Sequence, residues 1–373
     1  MRRGQFVFRV ASLALVLIMS RAMLTQNNPV PSATTAQPQA ASPSALQPSP
    51  SVTAPAAAEG RIHLDVVVTD KSGKPVSGLE LKDFTLLDNN QPAKILSFRP
   101  IDQTAHKAHP PVEVILLLDE VNEGHQQVAF VRQEIAKFLR QNGGHLAQPV
   151  SIFVFTGDGL DAQRLPSADG NALAAKVDQI DNSLRKVDRL GTVGGLNDIF
   201  QRAVKTMTDI ANAEAKKPGR KLLVWVGPGW PMLDTPGIQT TYQGQQQIFG
   251  VIVQLSTRLR EARISTYSIS SGNPVLGTYH YKDFLKGVPS ALKATTANLA
   301  LKVLAVQSGG DIFGPDNDLT AQINRCVQDA QAFYTLSFDP PPAAQANEYH
   351  DLKVLVAQPG LSTRTSTGYY NQP

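Results

Sequence analysis

The chain has 373 residues, of which 42% are hydrophobic and 18% are charged, so it is long enough for one large or two modest domains with buried cores. Four of its 35 basic residues are arginines within residues 1–25, and without that segment basic and acidic residues are equal in number at 31 each, which argues against general nucleic-acid binding. The single cysteine excludes an internal disulfide, a CxxC redox motif and a cysteine-based zinc site.

A signal peptide for export is predicted over residues 1–25. Arg2 and Arg3 precede an apolar run of ten residues, Val10–Met19, a length typical of a signal peptide and short for a transmembrane helix. Cleavage and retention as an uncleaved anchor both stay open. Residues 26–59 are rich in Pro, Ala and Ser, which predicts a disordered, extended linker. We therefore expect a secreted or periplasmic protein whose mature domain does not insert into the membrane.

Residues 60–100 are predicted to form part of a β-domain. Hydrophobic side chains alternate along Ile62–Val68, and residues 84–87 and 94–98 flank the turn Asp88–Asn90, which predicts a hairpin. A sheet of only three or four short strands has exposed edges, so these strands need partners from elsewhere in the chain.

Strands and helices alternate over residues 110–332. The run at 112–118 is nearly continuously apolar, as expected for a strand buried on both faces, and the segments between the predicted strands carry hydrophobic side chains at helical spacing. This order predicts an α/β fold with a mostly parallel sheet and helices on both faces. The predicted strands are 112–118, 150–155, 222–226, 264–269 and 312–313, and the helices with the clearest stripes are 128–139, 197–213, 248–262 and 319–330.

Residues 333–373 return to β-structure. Strands are predicted at 332–338, 352–356 and 363–369, separated by loops with Pro and Gly. Two arrangements stay open. The tail either pairs with residues 60–100 in one smaller β-sandwich-like domain, or it extends the central sheet beside an independent N-terminal β-module.

Several short motifs in this order resemble the bacterial VWFA-related domain family, a divergent von Willebrand factor A group abundant in acidobacteria. The resemblance runs from about residue 61 to 373 and implies a von Willebrand A-like (Rossmann-like) fold outside the cytoplasm. It also implies an adhesion or interaction module that binds a protein or an envelope polymer. The motifs are Asp65–Asp70 with Gly78 and Asp83-Phe84, Ile115–Asn122, Pro218–Trp225, Tyr334–Phe338 and Gly368–Tyr370.

The same resemblance implies Mg²⁺ or Mn²⁺ at the C-terminal end of the sheet, held by an Asp-x-Ser-x-Ser motif. Here Asp119 matches, Val121 cannot be a ligand, and Glu123 replaces the second serine. Two interpretations stay open for this degenerate motif. Either a dication binds to Asp119 and Glu123 with Asn122 or Thr192, or the segment is a solvated acidic loop that favours the adjacent helix dipole.

The loops after the later strands are the candidate partner-binding surface, since ligands of open α/β sheets usually bind at the carboxyl edge. Trp230 and Asp234 lie in a loop rich in Pro and Gly, and Tyr279 and Tyr281 lie in a long aromatic loop over residues 271–290. Trp230 is either an exposed anchor for a partner or a side chain packed on the top of the sheet.

Catalytic motifs are absent from the sequence. It contains no GxxxxGK[ST], HExxH or GxSxG, its seven histidines show no ligand spacing, and Cys326 falls on the apolar stripe of its helix. We therefore expect that the chain is not an enzyme and that its only candidate cofactor is the Mg²⁺ or Mn²⁺ that the resemblance implies. A structural or assembly component of the envelope and a hydrolase with an unrecognised site stay as alternatives.

Overall fold

The computed structural model describes residues 60–103, 112–163, 165–180, 193–230, 241–271 and 278–373, with the backbone alone for Val193, Thr278 and Tyr279. The predicted signal peptide and linker, Thr192 and Asp234 lie outside these residues. The described residues belong to one compact unit, and they contain no helix that is both long and apolar enough to cross a membrane.

Fifteen strands are present in the described residues. They are β1 (Ile62–Thr69), β2 (Phe84–Asp88), β3 (Gln91–Ala93), β4 (Ser97–Asp102), β5 (Glu113–Asp119), β6 (His145–Thr156), β7 (Gly159–Ala162), β8 (Ser167–Asp169), β9 (Lys221–Val226), β10 (Ile264–Ile269), β11 (Ile312–Phe313), β12 (Ala332–Phe338), β13 (Glu348–Val356), β14 (Ser362–Arg364) and β15 (Gly368–Asn371).

Six α-helices and five short 3-10 helices accompany them in the same residues. The α-helices are α1 (His125–Leu139), α2 (Gly170–Asp178), α3 (Val193–Glu214), α4 (Tyr242–Glu261), α5 (Leu301–Gln307) and α6 (Leu319–Gln328). The 3-10 helices are Leu81–Asp83, Gln141–Gly144, Thr278–Phe284, Ala291–Lys293 and Thr296–Leu299.

The central sheet has seven strands in the order β11-β10-β9-β5-β6-β7, with β8 also paired to β6. Its five core strands run parallel, and β7 and β8 are antiparallel to β6. Every residue of β5, β9 and β10 is buried, because these strands occupy the middle of the sheet. The molecule is therefore a mixed α/β structure with a mostly parallel sheet.

Helices cover both faces of this sheet. On one face α1, α2 and α6 pack against alternate strand residues such as Leu116. On the other face α3, α4 and α5 pack against the intervening residues such as Leu117. This double covering requires strands that are apolar on both sides.

Strands from the two ends of the described chain pair with each other in two antiparallel four-stranded sheets. Their orders are β14-β1-β12-β4 and β15-β13-β2-β3, with Leu64 opposite Leu336 and Leu86 opposite Val354. Apolar side chains from both sheets form a third core between them. The α/β segment is thus inserted between the two halves of a sandwich-like pair of sheets.

Two predicted strands differ from those observed. Asn89 and Asn90 both have positive φ, 48° and 62°, so a two-residue turn closes the hairpin at Gln91–Ala93, and residues 97–102 join the other sheet instead. The predicted strand 363–369 is two strands, β14 and β15, which belong to different sheets. The segment of β7, β8 and α2 was not predicted, because its apolar runs are short.

Candidate functional site

The carboxyl ends of three neighbouring strands meet at one edge of the central sheet. Asp119 is the last residue of β5, Gly227 follows β9, and Ser271 lies two residues after β10. The strand order β10-β9-β5 places these three positions side by side. Ligands of open α/β sheets usually bind at such an edge.

The Asp119 side chain is fully buried and accepts five hydrogen bonds. Its Oδ1 accepts from the backbone N–H groups of Val121 at 3.1 Å and Asn122 at 3.0 Å, and from Asn122 Nδ2 at 3.1 Å. Its Oδ2 accepts from Asn122 Nδ2 at 2.9 Å and Trp225 Nε1 at 3.0 Å. Burial raises the pKa of Asp119 to about 6, although these donors act in the opposite direction.

Two tryptophan rings pack in succession beside this carboxylate. The Trp225 and Trp230 rings meet edge-to-face with centroids 5.1 Å apart, and Trp230 Nε1 donates to the Leu299 carbonyl at 3.0 Å. A Cβ at Gly227 would lie 2.4 Å from Asp119 Cβ, so this position needs glycine. We call Asp119, Trp225, Gly227 and Trp230 the tryptophan cluster, and it ties the sheet edge to the 3-10 helix at Thr296–Leu299.

Glu123, the second carboxyl group at this edge, lies beside the cluster and contacts Ser271. The Ser271 hydroxyl donates to Glu123 Oε1, and Gln127 Nε2 donates to the Ser271 carbonyl. Burial, and then the charge of Asp119, raise the pKa of Glu123 to about 8. Burial therefore favours the protonated form of Glu123.

The described residues among the predicted ligands, Asp119, Asn122 and Glu123, do not fit Mg²⁺ or Mn²⁺. A dication needs oxygen ligands with free lone pairs, whereas Asp119 accepts five hydrogen bonds from four donor nitrogen atoms and Glu123 Oε1 accepts one from Ser271. The Asn122 amide is turned toward Asp119. Among the described residues no group of three or more His, Cys, Asp or Glu side chains is placed to hold a metal ion.

The other interpretation, a solvated acidic loop, is wrong for Asp119, because its side chain is 0% exposed. The sequence reasoning missed Trp225 as its partner. A signal was present, since a tryptophan inside a buried strand needs an acceptor for its N–H, but the acceptor lies 106 residues away in the chain.

The predicted partner-binding residues differ in their exposure, and the structure does not describe all of them. Trp230 is 1% exposed and packs on the top of the sheet, so it does not present an aromatic face to a partner. Tyr281 is half-buried, with Lys302 Nζ 5.7 Å from the centre of its ring. The Tyr279 side chain and Asp234 lie outside the described residues.

A groove of about 640 Å³ lies at one end of the two small sheets, away from the predicted site. His350 and Asp88 are among its lining residues, and His350 Nδ1 lies 2.7 Å from Asp88 Oδ1. The Tyr369 hydroxyl donates to Asp88 Oδ2 at 2.6 Å, and its ring stacks on the imidazole at 4.8 Å. Sequence spacing could not reveal this arrangement, because His350 and Asp88 are 262 residues apart.

Cys326 is buried, and burial raises the pKa of its thiol well above the usual value. A thiol in this environment stays protonated, so it is a poor nucleophile.

No protein-family model and no curated protein matches the chain. Among solved structures, it is similar to the human COPII-coat protein Sec24c, with 10% identity and a TM-score of 0.37 over 74% of this chain and 46% of that one. It is also similar to the pilus adhesin SpaC from Lactobacillus rhamnosus GG in its open conformation, with 13% identity and a TM-score of 0.38 over 79% and 42%.

A third similar structure is the manganese-loaded Plasmodium vivax TRAP protein, with 10% identity and a TM-score of 0.30 over 73% of this chain and 97% of that one. The chain spans less than half the length of Sec24c and of SpaC in their structures. All three TM-scores are below 0.5, so nothing about the activity of this chain follows from them.

Proposed function

We propose that the chain is an extracytoplasmic von Willebrand A-type protein-interaction module that binds its partner without a dication. The observation that carries the proposal is the hydrogen bonding of Asp119. At the position where the resemblance places a metal ligand, the Asp119 carboxylate accepts hydrogen bonds from Trp225 and Asn122 instead. The charge that a cation would balance is stabilised by N–H donors of the chain itself.

A non-enzymatic role agrees with the chemistry of this edge. Ser271 and Glu123 are the pair there that most resembles a nucleophile and its base, but Ser271 is 5% exposed, so its hydroxyl is not presented to a substrate. The predicted signal peptide supports the location outside the cytoplasm. The described residues of this edge are packed and hydrogen-bonded to one another, which suits recognition.

Capture of a partner with and without metal tests the proposal. The full chain is immobilised and exposed to envelope proteins of the source cells, once in millimolar Mg²⁺ and Mn²⁺ and once in EDTA. The same proteins should be retained in both, and calorimetric titration with either metal should give no heat of binding. Capture that disappears in EDTA would refute the metal-free mechanism, and no retained protein in either condition would refute the interaction role.

Trp230→Phe gives a matched variant. It keeps an aromatic ring in the cluster and removes the hydrogen bond to Leu299. Retention should fall because the 3-10 helix Thr296–Leu299 loses this contact, whereas Lys205→Ala on α3, a 75% exposed side chain, should leave retention unchanged.

A further inference from the structure

We propose that a small pocket between α4, α5 and the last strands of the chain binds a carboxylate group, with Arg260 as its cationic partner. This pocket, the Arg260 pocket, has a volume of about 30 Å³. No residue of the tryptophan cluster lines it. The inference therefore goes beyond the proposed function and does not depend on it.

The polar lining of the Arg260 pocket comes from two parts of the chain. Ser256 and Arg260 are four residues apart on α4, so they lie on one side of the helix, and both line the pocket. Ser366 and Thr367, which directly precede β15, line it as well. The pocket thus combines one guanidinium with three residues that carry a side-chain hydroxyl.

The aromatic wall of the pocket is fixed by close packing. The Tyr349 and Tyr370 rings meet with centroids 5.3 Å apart, and the Tyr349 hydroxyl donates to the Thr367 carbonyl at 3.3 Å. Gly287 and Gly368 also line the pocket, and a Cβ at either position would overlap Tyr349. Because this wall is ordered by the fold, a ligand that enters the pocket does not have to order it.

Arg260 supplies a cation that the described residues do not neutralise. It is half-buried and is the one charged residue among the described residues that line the pocket, and none of them accepts a hydrogen bond from its guanidinium or forms an ion pair with it. The nearby carboxylates of Glu261 and Asp351 are paired with Arg258 at 3.3 Å and Lys353 at 3.2 Å. Burial lowers the pKa of Arg260, and the charge of Glu261 acts in the opposite direction. A partly desolvated cation without a paired carboxylate is stabilised by a bound anion.

The size of the pocket favours a carboxylate over a phosphate. A cavity needs about 10–15 Å³ to hold one water molecule, so about 30 Å³ has room for two or three oxygen atoms. That number matches the two oxygens of a carboxylate and is too small for the four of a phosphate. The guanidinium of an arginine matches the geometry of a carboxylate, to which it donates two parallel hydrogen bonds.

Titration of the full chain with three anions at constant ionic strength tests this assignment. Acetate is a free acid, N-acetyl-Gly-Gly carries the C-terminal carboxylate of a polypeptide, and inorganic phosphate is the larger anion. With ¹⁵N-labelled arginine, the Nε–Hε signal of Arg260, identified by its loss in Arg260→Gln, should shift with acetate and saturate in the millimolar range. Phosphate should bind at least tenfold more weakly. Tighter binding of the dipeptide than of acetate would assign the carboxylate to a polypeptide terminus, and weaker binding would assign it to a free acid.

Matched variants locate the binding, which is measured in them by the relaxation of the acetate methyl protons. Arg260→Gln should weaken acetate binding at least tenfold, because hydrogen bonds between charged groups are lost. Ser256→Ala, one helical turn away, should weaken it about threefold through loss of a neutral donor. Arg258→Gln removes a 47% exposed arginine from the same helix and should leave the affinity within twofold. Thermal unfolding verifies that all three variants are folded.

Three results would overturn the inference. Absence of any shift of the Arg260 signal with both carboxylates would leave the pocket to water alone. Acetate affinity that is unchanged in Arg260→Gln, or reduced as much in Arg258→Gln, would place the binding outside the pocket. Phosphate affinity equal to that of acetate would refute the selection of a carboxylate by size.

Discussion

Replacement of Gly227 by alanine is the sharpest perturbation of the tryptophan cluster. The added Cβ would lie 2.4 Å from Asp119 Cβ, whereas two carbon atoms prefer a separation of about 3.5–4.0 Å. About 1 Å of movement is needed, and it must displace β5 or the loop after β9, because both Cβ atoms are attached directly to backbone.

The expected cost follows from two contributions. Insertion of a methyl group into a packed site costs about 1–3 kcal/mol. Gly227 also has φ +152°, a backbone conformation that costs other residues about 1–3 kcal/mol. We therefore expect Gly227→Ala to lower the free energy of unfolding by about 2–6 kcal/mol.

Urea unfolding followed by intrinsic fluorescence measures this effect at the site. The chain contains two tryptophans, and both belong to the cluster, so emission of the folded variant should shift to longer wavelength as the indoles become more hydrated. Gly250→Ala in α4 is the matched control. Its Cβ meets nothing within 4 Å, and alanine in a helix should raise the stability by about 0.5–1 kcal/mol.

Equal stability of the two variants, with unchanged emission from Gly227→Ala, would refute the packing of Asp119 against this loop. A loss of stability without a spectral change would place the damage outside the cluster.

Three further predictions concern buried charges. Lys221→Met should lower the free energy of unfolding by about 2–4 kcal/mol in urea, because Lys221 Nζ, in a residue 1% exposed, donates to carbonyls at the C-terminal ends of α3 and α4. Arg364→Gln should cost about 3–5 kcal/mol by calorimetry, because it removes the guanidinium whose Nη2 contacts both oxygens of the buried Asp329 carboxylate. Reversal of this loss by Asp329→Asn in the double variant would support this origin, and additive losses would contradict it. The pKa values of Asp119 and Glu123 are raised to about 6 and about 8. The stability from their protonated forms is therefore complete below about pH 4 and is lost as the pH rises through 6 and 8. Tm should fall between about pH 4 and 8, and less so in Glu123→Gln. An identical slope in that variant would exclude Glu123 as a source.

The central sheet could be predicted because its signal is local. Residues 222–226 are a continuous apolar run, as expected for a strand covered on both faces. The strands at the two ends of the chain were also predicted, but their pairing was left open. Ile62 lies opposite Phe338, and alternation within a strand does not specify which distant strand covers its apolar face.

The candidate site divides in the same way. The position of Asp119 at the end of a buried strand follows from the sequence, because the apolar run stops there. Its chemistry does not, because a carboxylate at this position binds a cation or N–H donors according to what the neighbouring strand supplies. Here that supply is the indole of Trp225, and the pairing Leu117↔Trp225 that brings it near is a property of the assembled sheet.

The N–H donors around Asp119 have a consequence for the proposed interaction role. In a metal-dependent site the open coordination position attracts a carboxylate of the partner directly. In this chain the Asp119 side chain is enclosed, so recognition under this proposal must use side chains outside the cluster. The tryptophan cluster then serves to fix the edge of the sheet, through the hydrogen bond from Trp230 Nε1 to the Leu299 carbonyl. Binding of a partner would not require a cation, because N–H donors of the chain itself stabilise the Asp119 carboxylate.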